Sequence, residues 1–174
     1  HGMMLYHRYM LGELLITENY PMKRLNSFSA GGSARYYAQP RSIAELMSVL
    51  EFAYRKGIAV EIIGGGTHIL VPDEGIDALV ISTKDMRGMT IRGDLITASP
   101  GEMLDNIINI AIEHNLIGME ELGGIPGTVA GAMTINASAN GKSLSDVFFY
   151  GDYLTIDGKI HRRPYYSDSF RKQG

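Results

Sequence analysis

Two glycine-rich stretches are the parts of this sequence best suited to chemistry. The first, "GGGTHILV" (Gly64 to Val71), places three consecutive glycines directly after an apolar run. Glycine loses more backbone entropy on folding than any other residue, so a triple glycine does not serve stability. Backbone N–H groups of such a loop can converge on a phosphate because no Cβ stands in the way. The pattern indicates a phosphate-binding loop, and a plain tight turn is the alternative.

The second stretch, "GGIPGTVAGAMTINASANG" (Gly123 to Gly141), is rich in glycine and alanine. So much backbone without large side chains suggests a surface that presses against a flat ligand. Two separate segments of this kind imply one large cofactor that bridges two lobes.

Two familiar nucleotide-binding motifs do not fit. A dinucleotide fingerprint would need glycine where Ile69 stands, and the loop runs into Leu70-Val71-Pro72 and not into a helix. Gly141-Lys142-Ser143 is similar to the end of a Walker motif, but Asn136 occupies the position of its first required glycine. Both motifs are rejected.

Composition excludes several other classes. The net charge of −3 lacks the basic surplus of a nucleic-acid-binding protein. The absence of cysteine excludes disulfides, thiolate metal sites and a cysteine nucleophile. No apolar run is long enough to span a membrane, and the histidines have no partners at metal-ligand spacing. We therefore expect a cytoplasmic protein with no metal and neither a nucleic-acid nor a membrane partner.

The elements predicted around the triple glycine form an α/β lobe over residues 3–83, with Met3 as the expected native start. Ser42 and Glu45 form a capping box that begins a helix, and Gly57 follows its last turn. Ile58 to Ile63 reads as a strand that leads into the glycines, and Ala78 to Ile81 as a buried strand.

A second lobe is predicted over residues 84–174. Runs 89–91 and 95–98 indicate a hairpin, and Asp157-Gly158 separates two further strand-like runs. Ser99-Pro100-Gly101-Glu102 is read as another capping box, with proline at the first helical position. Apolar residues at helical spacing follow it: Leu104, Ile107, Ile108 and Ala111.

The order of motifs resembles the FAD-binding part of the bacterial UDP-N-acetylenolpyruvoylglucosamine reductases, commonly called MurB. Family members carry Asn-Thr-Phe-x-x-Gly-Gly, then Gly-Gly-Gly-Ser-Asn-Leu-Leu, then Gly-Ile-Pro-Gly-Thr-Val-Gly-Gly-Ala, then Asn-Ala-Gly-Ala-aromatic-Gly. The corresponding segments here are Asn26 to Gly32, Gly64 to Leu70, Gly124 to Ala132 and Asn136 to Gly141. The resemblance runs from about Tyr20 to Lys172, and the Ile-Pro-Gly-Thr-Val stretch is its most specific part.

The resemblance implies an α+β fold of two lobes, of the vanillyl-alcohol-oxidase (PCMH) type, that holds FAD between them. The complete enzyme uses NADPH to reduce flavin, which then reduces the enolpyruvyl group of a UDP-sugar to UDP-N-acetylmuramate for peptidoglycan. The expected pyrophosphate-binding residues are Gly64, Gly65, Gly66, Thr67, His68 and Ile69. The expected flavin-contacting residues are Gly124, Ile125, Pro126, Gly127, Thr128, Gly131, Asn136, Ala137 and Gly141.

Departures from the family pattern leave alternatives open. The family's third, substrate-binding domain with its proton donor has no counterpart in this sequence, and Ser167 stands where the family has an arginine. Ser138 and Asn140 replace a glycine and an aromatic residue. The catalytic residues are therefore unknown, and the chain is expected to be a monomer and an incomplete catalytic unit. A flavin-binding module without reductase activity is the alternative. His68 is expected to contact the pyrophosphate without a covalent bond, or else to be a surface imidazole.

Overall fold

The computed structural model describes residues 8–25, 31–64, 71–155 and 157–164. It contains both helices and strands, and the chain divides into two compact units. The first comprises residues 1–85 with 156–158, and the second residues 86–155 with 159–174. Within the described residues, no helix is both long enough and apolar enough to cross a membrane.

The first unit is built on a five-stranded sheet with the strand order β1-β2-β3-β5-β4. β1, β2 and β3 pair antiparallel, whereas β5 pairs parallel with both β3 and β4. The strands are Arg8–Leu11 (β1), Leu14–Pro21 (β2), Ser33–Ala38 (β3), Val60–Ile63 (β4) and Ile76–Ser82 (β5). Residues 78–82 of β5 are buried, as expected for a parallel strand that is covered on both faces.

The one α-helix described in this unit, α1 (Ile43–Lys56), begins and ends where the sequence predicts. The Ser42 side chain accepts a hydrogen bond from the Glu45 N–H at 3.2 Å. Gly57 adopts a left-handed φ of 63°, which glycine tolerates best. The Glu45 carboxylate, however, accepts the N–H of Arg41 and not that of Ser42, so the capping box is only half formed.

The second unit contains two antiparallel hairpins that the sequence predicts. β6 (Met89–Arg92) pairs with β7 (Leu95–Ala98), and β10 (Tyr150–Leu154) pairs with β11 (Ile160–Pro164). A third, very short pair is formed by β8 (Ser138–Ala139) and β9 (Lys142–Ser143).

The helices of this unit surround a small core. α2 spans Leu104–Glu113 and α3 spans Val129–Thr134, and a 3₁₀ turn at Glu120–Leu122 lies between them. The apolar face predicted for α2 is buried. The core cluster consists of Leu104, Ile108, Leu122, Ala132, Ala137 and Leu144.

The prediction for the start of α2 is wrong. The helix begins at Leu104 and its N-cap is Met103, which makes no side-chain cap bond, so Pro100 lies outside the helix. Ser99 to Glu102 instead form a turn, in which the Glu102 N–H donates to the Ser99 carbonyl at 3.1 Å. The Glu102 side chain then bonds to Gly88, Met103 and Asn106, and this network replaces the predicted capping box.

Candidate functional site

The glycine-rich segment of the second unit folds around a surface depression of about 530 Å³. This volume lies in the range of small-molecule and cofactor sites. The backbone between the 3₁₀ turn and α3 forms one side, and the backbone from the end of α3 into β8 forms the other. The lining residues are Gly123, Gly124, Ile125, Pro126, Ile135, Asn136, Ala137, Ser138 and Ala139.

Five of the expected flavin-contacting residues line this depression: Gly124, Ile125, Pro126, Asn136 and Ala137. The depression is not lined by the other four expected residues, Gly127, Thr128, Gly131 and Gly141. Four other lining residues were not among the expected contacts: Gly123, Ile135, Ser138 and Ala139. The available sequence signal was the position of the apolar Ile135 directly before Asn136; in the structure Ile135 is 75% exposed.

Backbone conformation favours glycine at two positions between the 3₁₀ turn and α3. Gly124 has φ 84° and Gly127 has φ 109°, both in the region that side chains disfavour. A Cβ built on either residue would meet no atom within 4 Å. The backbone at both positions is therefore turned toward open space, as a surface that receives a flat ligand must be.

Gly131 differs, because nothing in its conformation requires glycine. It lies inside α3, is exposed, and has no positive φ. A Cβ at this position would make only an ordinary contact, 3.4 Å from the Thr128 hydroxyl oxygen. Glycine inside a helix costs roughly 0.5–1 kcal/mol relative to alanine. The described structure supplies no internal reason for this cost, and the close approach of a ligand would supply one.

The first turn of α3 is anchored within the unit. The buried Thr128 accepts the Gly131 N–H on its hydroxyl at 3.3 Å. The Val129 N–H donates to the Glu102 carbonyl at 2.8 Å, and the Ala130 N–H to the Pro100 carbonyl at 3.1 Å. These N–H groups are thus occupied, and Thr128 has a structural role as the helix cap.

Asn136 offers a side-chain donor to the depression. Its φ of 46° is left-handed, a conformation that asparagine tolerates better than most residues. The Asn136 side-chain oxygen accepts a hydrogen bond from the Ser145 N–H at 3.0 Å. The oxygen is the acceptor because the amide NH₂ group can only donate. Among the residues that the structure describes, none accepts a hydrogen bond from the amide NH₂ group, so this group can donate to a ligand that offers an acceptor.

Cross-links between the 3₁₀ turn and the β8–β9 pair hold the two sides of the depression together. Lys142 Nζ donates to the Gly118 carbonyl at 2.7 Å and lies 3.5 Å from a carboxylate oxygen of Glu121. The Asn140 side chain donates to the Glu121 carbonyl at 2.9 Å. Backbone hydrogen bonds, first from its own N–H and then from Gly118, lower the pKa of Glu120. Asn140, which replaces the family's aromatic residue, thus has a bracing role here.

Several predicted positions lie outside the described residues. Of the six expected pyrophosphate-binding residues only Gly64 is described, and Gly65, Gly66, Thr67, His68 and Ile69 are not. The Asn26 to Ala30 part of the first motif and the Ser167 position also fall outside. Among the described residues, no group of three or more His, Cys, Asp or Glu side chains could hold a metal ion.

Comparison with protein families and with known proteins places these observations in context. Residues 34–163 match the model of the FAD binding domain family. The chain is 37% identical to the UDP-N-acetylenolpyruvoylglucosamine reductase of Moorella thermoacetica over 86% of this chain and 49% of the relative. It is 38% identical to the enzyme of the same name from Rubrobacter xylanophilus over 82% of this chain and 48% of the relative. The chain thus spans about half the length of the relatives that it matches.

Solved structures confirm the predicted fold class. The reductase (MurB) of Thermus caldophilus superposes with a TM-score of 0.62 at 24% identity, over 93% of this chain and 53% of that structure. Cholesterol oxidase from B. sterolicum superposes with a TM-score of 0.66 at 10% identity, over 92% of this chain and 35% of that structure. Both likenesses agree with the α+β fold of the PCMH type that the resemblance implies.

Proposed function

We propose that this chain, which belongs to the FAD-binding domain family through residues 34–163, is the FAD-binding part of a UDP-N-acetylmuramate dehydrogenase. The similarity to reductases of 37% and 38% identity supports this assignment. In the complete enzyme, NADPH would be the reductant and an enolpyruvyl UDP-sugar the substrate. Because the chain spans about half of those relatives, residues outside this sequence would complete the substrate site. A cytoplasmic monomer is part of the same proposal.

The depression lined by Gly124, Ile125 and Asn136 is the observation that carries the FAD assignment. Bound FAD would supply the hydride-transfer chemistry, which side chains alone do not provide. Its flavin ring is flat, has apolar and hydrogen-bonding edges, and needs a wall without projecting side chains. The exposed backbone at Gly124, the apolar Ile125 and the amide NH₂ group of Asn136 meet these needs.

Each lobe would hold a different part of the cofactor. We assign the pyrophosphate to residues 64–69 of the first lobe (3–83), on their match to the family motif. We assign the flavin ring to the second lobe (84–174), in which Gly127, Thr128, Gly131 and Gly141 complete the set. His68 would donate a hydrogen bond to the pyrophosphate from its ring N–H.

Reconstitution tests this proposal. The purified chain is incubated with FAD, desalted, and examined by visible absorbance and by thermal unfolding. We expect retained flavin and a raised unfolding temperature, and a Gly65→Val variant should retain less flavin. Anaerobic addition of NADPH should then bleach the flavin band. A desalted protein without flavin and without thermal stabilisation would refute the cofactor assignment.

A further inference from the structure

Glu102 is a buried carboxylate that the proposed chemistry does not use. It is only 6% exposed and lies in the turn before α2. One carboxylate oxygen accepts the Met103 N–H at 3.2 Å and the Asn106 side-chain N–H at 2.9 Å. The other accepts the N–H of Gly88 at 3.0 Å. Glu102 therefore joins the segment before β6 to the start of α2.

The backbone around Glu102 is bonded to the start of the flavin-contacting segment. The Glu102 carbonyl accepts the Val129 N–H at 2.8 Å, and the Pro100 carbonyl accepts the Ala130 N–H at 3.1 Å. The Leu104 N–H donates to the Gly127 carbonyl at 3.0 Å. Met103 and Thr128 also form an antiparallel bridge. The turn at 100–104 thus holds residues 127–130 in place through backbone hydrogen bonds.

The network requires an ionised carboxylate, because all three partners are donors. A buried carboxylate persists when hydrogen bonds replace its hydration. The hydrogen bond from Asn106 is the largest contribution that lowers the pKa of Glu102, and the Gly88 and Met103 N–H groups and the positive charge of Arg87 act in the same direction. A neutral amide could not accept from all three donors without placing its own NH₂ against one of them.

We propose that Glu102 is a positioning residue for the flavin site: by fixing the turn at 100–104, it sets the position of the Gly127–Ala130 backbone against the ring. The proposal rests on the assignment of FAD to this segment. Glu102 does not touch the depression itself, so its effect passes through the backbone bonds to Gly127, Val129 and Ala130.

The test compares Glu102→Gln with Asp152→Asn. Asp152 is a matched control because it is a carboxylate of the same unit, paired with Arg162 on the β10–β11 hairpin and not bonded to residues 127–130. Glu102→Gln should raise the Kd for FAD at least about tenfold, which corresponds to the loss of one charge-assisted hydrogen bond. Asp152→Asn should leave this Kd within about twofold of the parent.

Two readouts separate positioning from a mere loss of stability. At saturating FAD, the visible circular dichroism of the Glu102→Gln complex should differ from that of the parent, since the ring then rests on a displaced backbone. In the ligand-free protein, amide exchange should accelerate at Val129, Ala130 and Leu104, and should be unchanged at Leu79 of the first unit. Asn106→Ala, which removes one donor from an exposed position, should give a smaller effect of the same kind if Glu102→Gln does not fold.

Each outcome decides a different question. If the parent binds no FAD, the proposed function fails, and the exchange pattern still tests the support provided by Glu102. If the parent binds FAD, and the variants match its Kd and circular dichroism, the positioning role is refuted. Equal acceleration of exchange at all amides would also refute it, because Glu102 would then contribute only to global stability.

Discussion

At the scale of single residues, Gly124 and Gly127 differ from Gly131 in whether the backbone requires glycine. Gly124 and Gly127 have positive φ, so the chain geometry alone explains them. Gly131 is exposed within α3 and has neither a positive φ nor a crowding neighbour. Gly131 thus lowers helix stability without a structural reason among the described residues, and the close approach of a ligand would supply one.

Gly131→Ala should therefore stabilise the ligand-free protein and weaken FAD binding. We expect the free energy of unfolding to rise by about 0.5–1 kcal/mol, because alanine loses less backbone entropy in a helix. Urea denaturation of both proteins measures this gain, and a titration with FAD measures the loss. Asn109→Ala on the exposed side of α2 is the control, and it should stabilise without any change in FAD affinity. A destabilised Gly131→Ala would show that the helix itself requires glycine.

Asn136→Asp isolates one hydrogen-bond donor of the site. The aspartate keeps an acceptor for the Ser145 N–H and tolerates the left-handed conformation, but it replaces the NH₂ group with a charged oxygen. We expect FAD affinity to fall at least about tenfold, the effect of one lost donor and a new negative charge. Asn115→Asp, at an exposed asparagine that is also left-handed, should leave the affinity unchanged. Equal affinities for parent and Asn136→Asp would remove Asn136 from the site.

At the scale of elements, the sequence predicted correctly those helix ends that are stabilised by hydrogen bonds between neighbouring residues. α1 begins at Ser42 and ends at Gly57 because its cap and its left-handed terminus are formed by neighbouring residues. The predicted start of α2 was wrong because the Glu102 side chain bonds to Gly88, fourteen residues earlier in the sequence. No rule based on local spacing reveals such a partner. β1, β2 and β3 were not predicted because their stability comes from pairing with each other and with β5.

The same distinction applies to the candidate site. The glycine pattern and the family resemblance indicated Gly124, Ile125, Pro126, Asn136 and Ala137, which the fold gathers around one depression. The brace made by Lys142 and Asn140 could not be predicted, because it depends on how the β8–β9 pair meets the 3₁₀ turn.

The turn before α2 should make stability depend on pH at acidic values. The pKa of Glu102 is lowered in the folded state, so its ionised form contributes stability above the unfolded pKa of about 4.3. This contribution is lost as pH falls through the folded pKa. The difference in unfolding free energy between the parent and Glu102→Gln should thus be constant from pH 7 to about 5 and narrow below. Urea denaturation at several pH values measures it, and a difference that widens on acidification would contradict the ionised network.

At the scale of the whole molecule, one cofactor is assigned to a chain that spans about half the length of its reductase relatives. The family model covers residues from both compact units, from Ala34 in β3 to Arg163 in β11. A ligand that binds only the folded state stabilises it by about 2.7 kcal/mol at a free concentration one hundred times its Kd. Removal of FAD should lower the unfolding temperature accordingly.

Calorimetric titration of FAD into the purified chain, and into a Gly131→Leu variant, is the most direct test of whether this chain binds FAD. We expect saturable binding to the parent at one FAD per chain. Binding to the variant should be at least about tenfold weaker, because Gly131 belongs to the proposed flavin-contacting set and leucine would add a large side chain there. Thermal unfolding without ligand should confirm that Gly131→Leu remains folded, since leucine is a better helix former than glycine. An undetectable heat of binding for the parent would contradict the assignment of FAD to this chain. An equal affinity for the two proteins would contradict the place of Gly131 in the flavin site.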